Sequence, residues 1–183
     1  MPTPSPAHGA PRARVDPVRS EADALAIIEL ARSWPPRDEI IAFLLDDDHR
    51  GTGTIVDLTE VRSPADVLLV VELLGESAAC HNAAGSINAS SMVIASVRAR
   101  ESAPAGPWED DLVDDDRWDD DSSDHDSSDH DLWDDELWDG DLWDEASDLA
   151  DSFGLTLLEW FVISPDGIEC PRELTGEPDR WPR

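Results

Sequence analysis

The stretch Ser91-Met92-Val93-Ile94-Ala95-Ser96-Val97-Arg98-Ala99-Arg100-Glu101-Ser102 decides the fold. Five of its first seven residues are apolar and a short polar segment follows, which predicts a buried strand that runs into a turn near Ala95. In open α/β sheets, ligands bind at the carboxyl ends of strands. The six residues directly after Ala95, Ser96 to Glu101, contain no His and no Cys, which favours a domain without an evident catalytic set.

The elements around this strand are predicted by local signals. Ser20 precedes an amphipathic helix that Pro35-Pro36 ends. Glu39–Leu45 and Gly51–Leu58 form a hairpin, and Ser63-Pro64 starts a second, mostly apolar helix that Gly75 closes near its C-terminus. The next stretch, Ala78–Ser90, is interpreted as a loop that can contain a helical turn. Near the end of the chain we expect a helix, two strands and a tucked-in tryptophan: Glu145–Phe153, Leu155–Ile163, Ile168–Pro171 and Trp181.

Composition limits the classes of function. The net charge of −30 argues against a nucleic-acid-binding surface, and the longest apolar run, Val67–Val71, is too short to cross a bilayer. All thirteen basic residues are Arg, which is typical of a GC-rich bacterial genome. The only cysteines, Cys80 and Cys170, fit no zinc motif, and no secretory signal precedes them. We therefore expect a cytoplasmic protein with reduced thiols, no membrane contact and no direct nucleic-acid contact.

A run of acidic residues and tryptophans interrupts the chain. Residues 109–145 hold twenty acidic residues and one Arg, and so nineteen of the thirty net negative charges. The tryptophans recur on a register of five, and Asp131-Leu132-Trp133-Asp134 is followed by two close copies of itself. Positions five apart turn by about 140° on a helix and change faces on a strand, so the sequence predicts a disordered insertion over 109–144.

Other interpretations of this run stay open. The acidic segment with its aromatic anchors suits a basic protein partner or mimicry of nucleic acid. Its carboxylates suit Ca²⁺ but lack EF-hand spacing, and His125 and His130 suit weak Zn²⁺ binding. The Pro- and Arg-rich residues 1–19 are expected to be a disordered tail. The domain then divides into residues 20–108 and 145–183, on either side of the insertion.

Without the insertion, the order is strand, strand, helix, strand, polar turn, helix, strand. From about Ile40 to Gly167 this order resembles a RadC-like JAB/MPN domain. The resemblance implies an α/β (α+β) fold, a mixed sheet flanked by helices. It also implies a Zn²⁺ site built from His-x-His-Pro-Ser-Gly at the end of the third strand, a downstream Ser and Asp, and an upstream Glu.

The residues that should carry this chemistry are missing at those positions. Ser96-Val97-Arg98 stands where the resemblance places His-x-His, and Ala99-Arg100-Glu101 replaces Pro-Ser-Gly. Asp110 falls where the family Asp belongs, and Pro107 where the Ser belongs. A guanidinium cannot ligate a metal, so we expect no bound metal and no cofactor. Arg98 and Arg100 are then available to bind an anion or to pair with Asp110 and Asp111, or they are simply solvated.

Three hypotheses about function follow. The first is a binding or scaffold module that has lost its metal site and is therefore more probably not an enzyme. The second is a metal-dependent peptidase or isopeptidase with a rearranged site, such as His49 or His81 with Asp110. The third assigns the function to the acidic run, which would bind an unidentified protein partner of basic character.

Overall fold

A computed structural model describes residues 10–59, 61, 63, 65–86, 88–99, 140–178 and 180–181. The elements that it defines alternate between helix and strand in a mixed α+β order. In chain order they are α1 (Glu21–Ala31), β1 (Glu39–Asp46), β2 (Gly51–Thr59), α2 (Asp66–Ala83), β3 (Ala89–Val97), α3 (Gly140–Ser152), β4 (Thr156–Ser164), β5 (Gly167–Glu169) and α4 (Pro171–Thr175).

The five strands form one mixed sheet in the order β2-β1-β3-β4-β5. β3 pairs with β4 in parallel, and every other pair is antiparallel. β3 is buried along almost its whole length, because both of its neighbours are strands and both of its faces are covered. The predicted class, a mixed sheet flanked by helices, is therefore confirmed.

Helices cover both faces of this sheet. On one face α2 and α3 pack over alternate strand residues, with Met92 and Ile94 of β3 among them. On the other face α1 covers Val93, Ala95 and Val97, and Trp181 packs there as expected. Since successive strand residues point to opposite faces, the continuous apolar run in β3 supplies both cores.

The start of the chain differs from the expected disordered tail. Residues 10–19 are ordered against β2: the Arg14 N–H donates to the Gly51 carbonyl at 2.8 Å, and Pro17 bridges to Arg50. Val18 is fully buried beneath α1. The Pro- and Arg-rich composition does not predict this ordered segment, because only one buried apolar residue and a few backbone hydrogen bonds hold it in place. Residues 1–9 lie outside the described part of the chain.

The bounds of the first two helices also differ from expectation. α1 ends at Ala31, before the two prolines. α2 starts at Asp66, with Ala65 and not Ser63 at its N-cap. The Asp66 carboxylate accepts the Ser63 N–H at 3.1 Å in the turn that precedes the helix. The same helix continues to Ala83, eight residues beyond Gly75.

Gly75 lies in the interior of α2 and does not end the helix. A small residue is needed there because of a close contact with Phe153. A β-carbon at this position would lie 2.3 Å from Cδ2 of Phe153. The residue is therefore small so that the end of α3 can approach α2 closely. The predicted loop over Ala78–Ser90 is wrong for its first six residues, which are helical, and for its last two, which begin β3.

The acidic insertion also ends earlier than expected. α3 starts at Gly140 and not at Glu145, so the last repeat, Asp141-Leu142-Trp143-Asp144, is its first turn. Trp143 is fully buried against the α2 face, and the Arg180 guanidinium lies 5.6 Å from the centre of its ring. Disorder through Asp144 is therefore wrong, and the earlier repeats lie outside the described residues.

Candidate functional site

The carboxyl end of β3 is the site that the sequence selects, and Ser96 lies inside the strand rather than beyond it. β3 runs through Val97. The Ser96 hydroxyl accepts a hydrogen bond from Nε1 of Trp160 on β4 at 3.0 Å, and the residue is only 6% exposed. The hydroxyl of Ser96 therefore joins two strands of the core.

The chain leaves the sheet after Val97, the last residue of β3. The Arg98 N–H donates to the Ile163 carbonyl at 2.8 Å, which extends the pairing of β3 with β4 by one bond. The Ala99 N–H then donates to the Asp38 carboxylate at 2.7 Å. Arg98 and Ala99 are both half-buried. Arg100, Asp110 and the expected pairing of Asp110 and Asp111 with the arginines lie outside the described residues.

Two acids at the start of β1 belong to this end of the sheet. Glu39 pairs in register with Val97, and Asp38 accepts the Ala99 N–H. Glu39 is 1% exposed, and its carboxylate accepts the Ser33 N–H at 3.0 Å. Sequence reasoning missed both acids, although Asp38-Glu39 directly before an apolar strand that pairs antiparallel with β3 would have placed them here.

Burial at this end of the sheet also affects Asp57 on the neighbouring β2. Desolvation raises the pKa of its carboxyl, nearby Glu39 raises it further, and Arg37 opposes the change. The end of the sheet therefore combines one buried acid, Glu39, and the more exposed Asp38 and Asp57 with arginines. This pattern suits charge pairing and anion contacts, since guanidinium groups donate hydrogen bonds but cannot ligate a metal.

The alternative ligands lie at the other end of the sheet. His49 is in the β1–β2 turn, with a φ of 57°. His81 is exposed near the end of α2, where Asn82 exchanges two hydrogen bonds with Ala89 at the start of β3. Ala89 and Ser96 are seven residues apart, which is roughly 23 Å along a strand. Neither histidine therefore belongs to the end where Ser96 and Arg98 lie.

A buried charge cluster joins the last helix to the sheet, and sequence reasoning missed it. Glu159 of β4 is fully buried, and its Oε2 accepts bonds from Nε and Nη2 of Arg172 at 2.8 and 2.7 Å. Arg172 also lies 3.5 Å from Glu21 of α1. A Glu inside an apolar strand is the signal that could have found this pair, because a buried carboxylate needs a partner.

The electrostatics of this cluster are dominated by burial. Desolvation raises the pKa of the Glu159 carboxyl, and the hydrogen bond and charge of Arg172 oppose the change. Cys170, half-buried beside it, has its pKa raised to about 12 by burial and then by Glu159. A thiol with this pKa stays protonated and is a poor nucleophile. The cluster therefore ties α4 and α1 to β4.

An apolar groove opens on the opposite side of the molecule from α2. Residues 11–18, the last two turns of α1 and the β1–β2 hairpin enclose a cavity of about 210 Å³. We call it the α1–β2 groove. Its floor includes Val18, Ile27 and Phe43, and its rim includes Arg12, Leu30 and Ile55.

Searches across the described residues give two further results. No group of three or more His, Cys, Asp or Glu side chains within them is arranged to hold a metal ion. None of the helices in the described ranges has both the length and the apolar character needed to cross a membrane.

Comparison of the chain with protein-family models, with curated proteins and with solved structures found no match in any of the three.

Proposed function

We propose that the protein is a non-catalytic binding module, a RadC-like JAB/MPN domain in which the metal site has been lost. The observation that carries the proposal is the buried hydrogen bond between Ser96 and Trp160. At the position where the resemblance places the first metal-binding His, the side chain is committed to the core. Its hydroxyl accepts a bond from the neighbouring strand, and the residue is buried.

The second degenerate position supports the same proposal. Arg98 follows directly after β3, with Asp38 and Glu39 at the same end of the sheet. A permanently charged guanidinium in this place repels a cation and attracts an anion or a carboxylate. The proposed activity is therefore recognition of a protein partner. We place it in the cytoplasm, where the free thiols of Cys80 and Cys170 stay reduced.

The test is a metal analysis and an activity assay on the full chain. We expect far less than one zinc ion per purified chain, and no cleavage of peptide or isopeptide substrates with zinc added. About one tightly bound zinc per chain, together with hydrolysis that EDTA abolishes and zinc restores, would contradict the proposal. That outcome would instead favour the metal-dependent hydrolase with a rearranged site.

A variant separates a core role for Ser96 from a role in binding or chemistry. Ser96→Ala removes the acceptor of the Trp160 bond, and we expect it to lower the free energy of unfolding by about 1–2 kcal/mol. Ser102→Ala, outside the strand, is the matched control. If Ser96→Ala left stability unchanged but removed binding of zinc or of a substrate, the hydroxyl would belong to a working site.

A further inference from the structure

The α1–β2 groove is separate from the carboxyl end of β3, and none of the hypotheses about that end assigns it a role. Its apolar rim is open: Leu30 is 78% exposed and Ile55 is 49% exposed. Its volume of about 210 Å³ exceeds that of engineered apolar cavities, of roughly 150 Å³, that bind benzene. The groove therefore has the size and the surface to accept an aromatic side chain.

One wall of the groove is formed by a segment with a net positive charge. Residues 10–19 hold three arginines and one acid in a chain with a net charge of −30. Arg12 and Asp16 line the groove, and Arg14 lies beside Gly53 of the lining. Arg12 pairs with Asp16 at 2.8 Å but keeps 74% of its side chain exposed. Arg14 is also exposed, and its Nε donates to the Thr52 carbonyl at 3.0 Å. An acidic ligand is therefore attracted to this wall.

The chain itself carries a segment with the matching chemistry. Leu132-Trp133 is flanked by Asp131 and Asp134, so it combines a large aromatic group with carboxylates on both sides. The domain already holds one such unit. Trp143 of the last repeat is buried with the Arg180 guanidinium over its ring. One copy of this repeat is thus already packed in an apolar pocket beside an Arg in this protein.

We propose that the α1–β2 groove binds the Leu132-Trp133 unit of the chain's own acidic repeat. Trp133 occupies the cavity, and the two flanking aspartates face Arg12 and Arg14. Eight residues separate Leu132 from Gly140, a span of up to about 28 Å when extended. This inference concerns a different surface from the degenerate metal site and does not rest on the proposed function.

The first experiment frees the groove and supplies the ligand separately. Leu132, Trp133, Leu137 and Trp138 are all changed to Ser in the full chain, which keeps the charge of the repeat. A fluorescent peptide with the sequence of residues 130–135 is then titrated against this chain by anisotropy at low salt. We expect saturable binding that weakens as salt is added, because Arg–Asp attraction is screened.

Two variants of the same chain locate the binding surface. Leu30→Asp puts a charge on the rim, and we expect it to weaken peptide binding about tenfold or more. Leu69→Asp is the matched control, since Leu69 is a 46% exposed leucine on α2, and we expect no change. Far-UV circular dichroism confirms that both variants are folded.

The unaltered chain tests whether its own segment is the occupant. Its tethered unit competes with the peptide, so we expect apparent affinity about tenfold weaker than in the chain with the four Ser substitutions. Absence of peptide binding, binding that Leu30→Asp leaves intact, or equal affinity in the two chains would overturn the proposal. A dimer of the unaltered chain that the Ser substitutions abolish would identify a second copy as the occupant and also overturn it.

Discussion

Removal of one five-residue repeat should spare the fold, although it removes a fully buried tryptophan. The deletion takes out residues 140–144, which include the first turn of α3 and Trp143. The shortened chain then reads Glu136-Leu137-Trp138-Asp139 directly before Glu145. Trp138 thereby takes the position of Trp143, and the new first turn differs from the old one by Asp135 for Gly140 and Glu136 for Asp141.

The magnitude follows from the environment of Trp143. The side chain is fully buried in the core between α2, α3 and the sheet. Truncation of such a side chain to Ala costs about 3–5 kcal/mol, and the contact of Arg180 with the ring contributes about 0.5–1 kcal/mol of this. For the deletion we expect a change below about 1 kcal/mol, because the same side chain fills the same space.

The assay is equilibrium unfolding in urea, followed by circular dichroism and by tryptophan fluorescence. Trp143→Ala should lower the free energy of unfolding by about 3–5 kcal/mol, and the five-residue deletion should lower it by less than about 1 kcal/mol. The matched control is deletion of residues 140–143. It shifts the repeat by one position, so Asp139 enters the buried place of Trp143, and we expect a loss at least as large as that of Trp143→Ala.

Two results would refute this reasoning. If the five-residue deletion destabilised the protein as much as the four-residue deletion, the earlier repeats would not be equivalent to the first turn of α3. If Trp143→Ala changed the free energy of unfolding by less than about 1 kcal/mol, the burial of this tryptophan would not stabilise the domain.

Four further predictions concern the core and the β1–β2 turn. Gly75→Ala should lower the free energy of unfolding in urea by about 1–3 kcal/mol, although Ala has the better helix propensity, because the new methyl group meets the Phe153 ring. Phe153→Ala in the same chain should remove most of that effect. Additive losses in the double variant would contradict this explanation. Arg172→Met should destabilise by about 3–5 kcal/mol by stranding the Glu159 charge. Burial raises the pKa of Glu159 in the folded protein. The contribution of Glu159 to stability is therefore greatest below its ordinary pKa of 4.5 and falls as the pH rises through the folded pKa. Glu159→Gln should remove this part of the pH profile of the melting temperature, and an unchanged profile would refute the assignment. His49→Gly should be neutral or stabilise by up to about 1 kcal/mol, because φ is 57° there, and a clear loss would show that the His49 side chain matters.

Local patterns in the sequence determined much of this fold. The apolar run through Ala95 specified a central strand, because a segment that is apolar on both faces must be covered on both. Asp46-Asp47-Asp48 specified the end of β1, since three adjacent carboxylates cannot enter a core. Ser20 specified the start of α1, where its hydroxyl accepts the Asp23 N–H.

The features that only the tertiary structure decided depend on partners far away in the chain. Gly75 ends a helix by local rules, but the Phe153 ring, 78 residues later, makes it an interior contact. Trp143 belongs by sequence to a polar repeat, yet Arg180 and the α2 face bury it. By sequence, Ser96 is a polar residue where a strand ends, but in the structure its hydroxyl accepts a hydrogen bond from Nε1 of Trp160. Sequence patterns record the preference of a residue for water or core, while the identity of its partner is set by how the strands and helices pack.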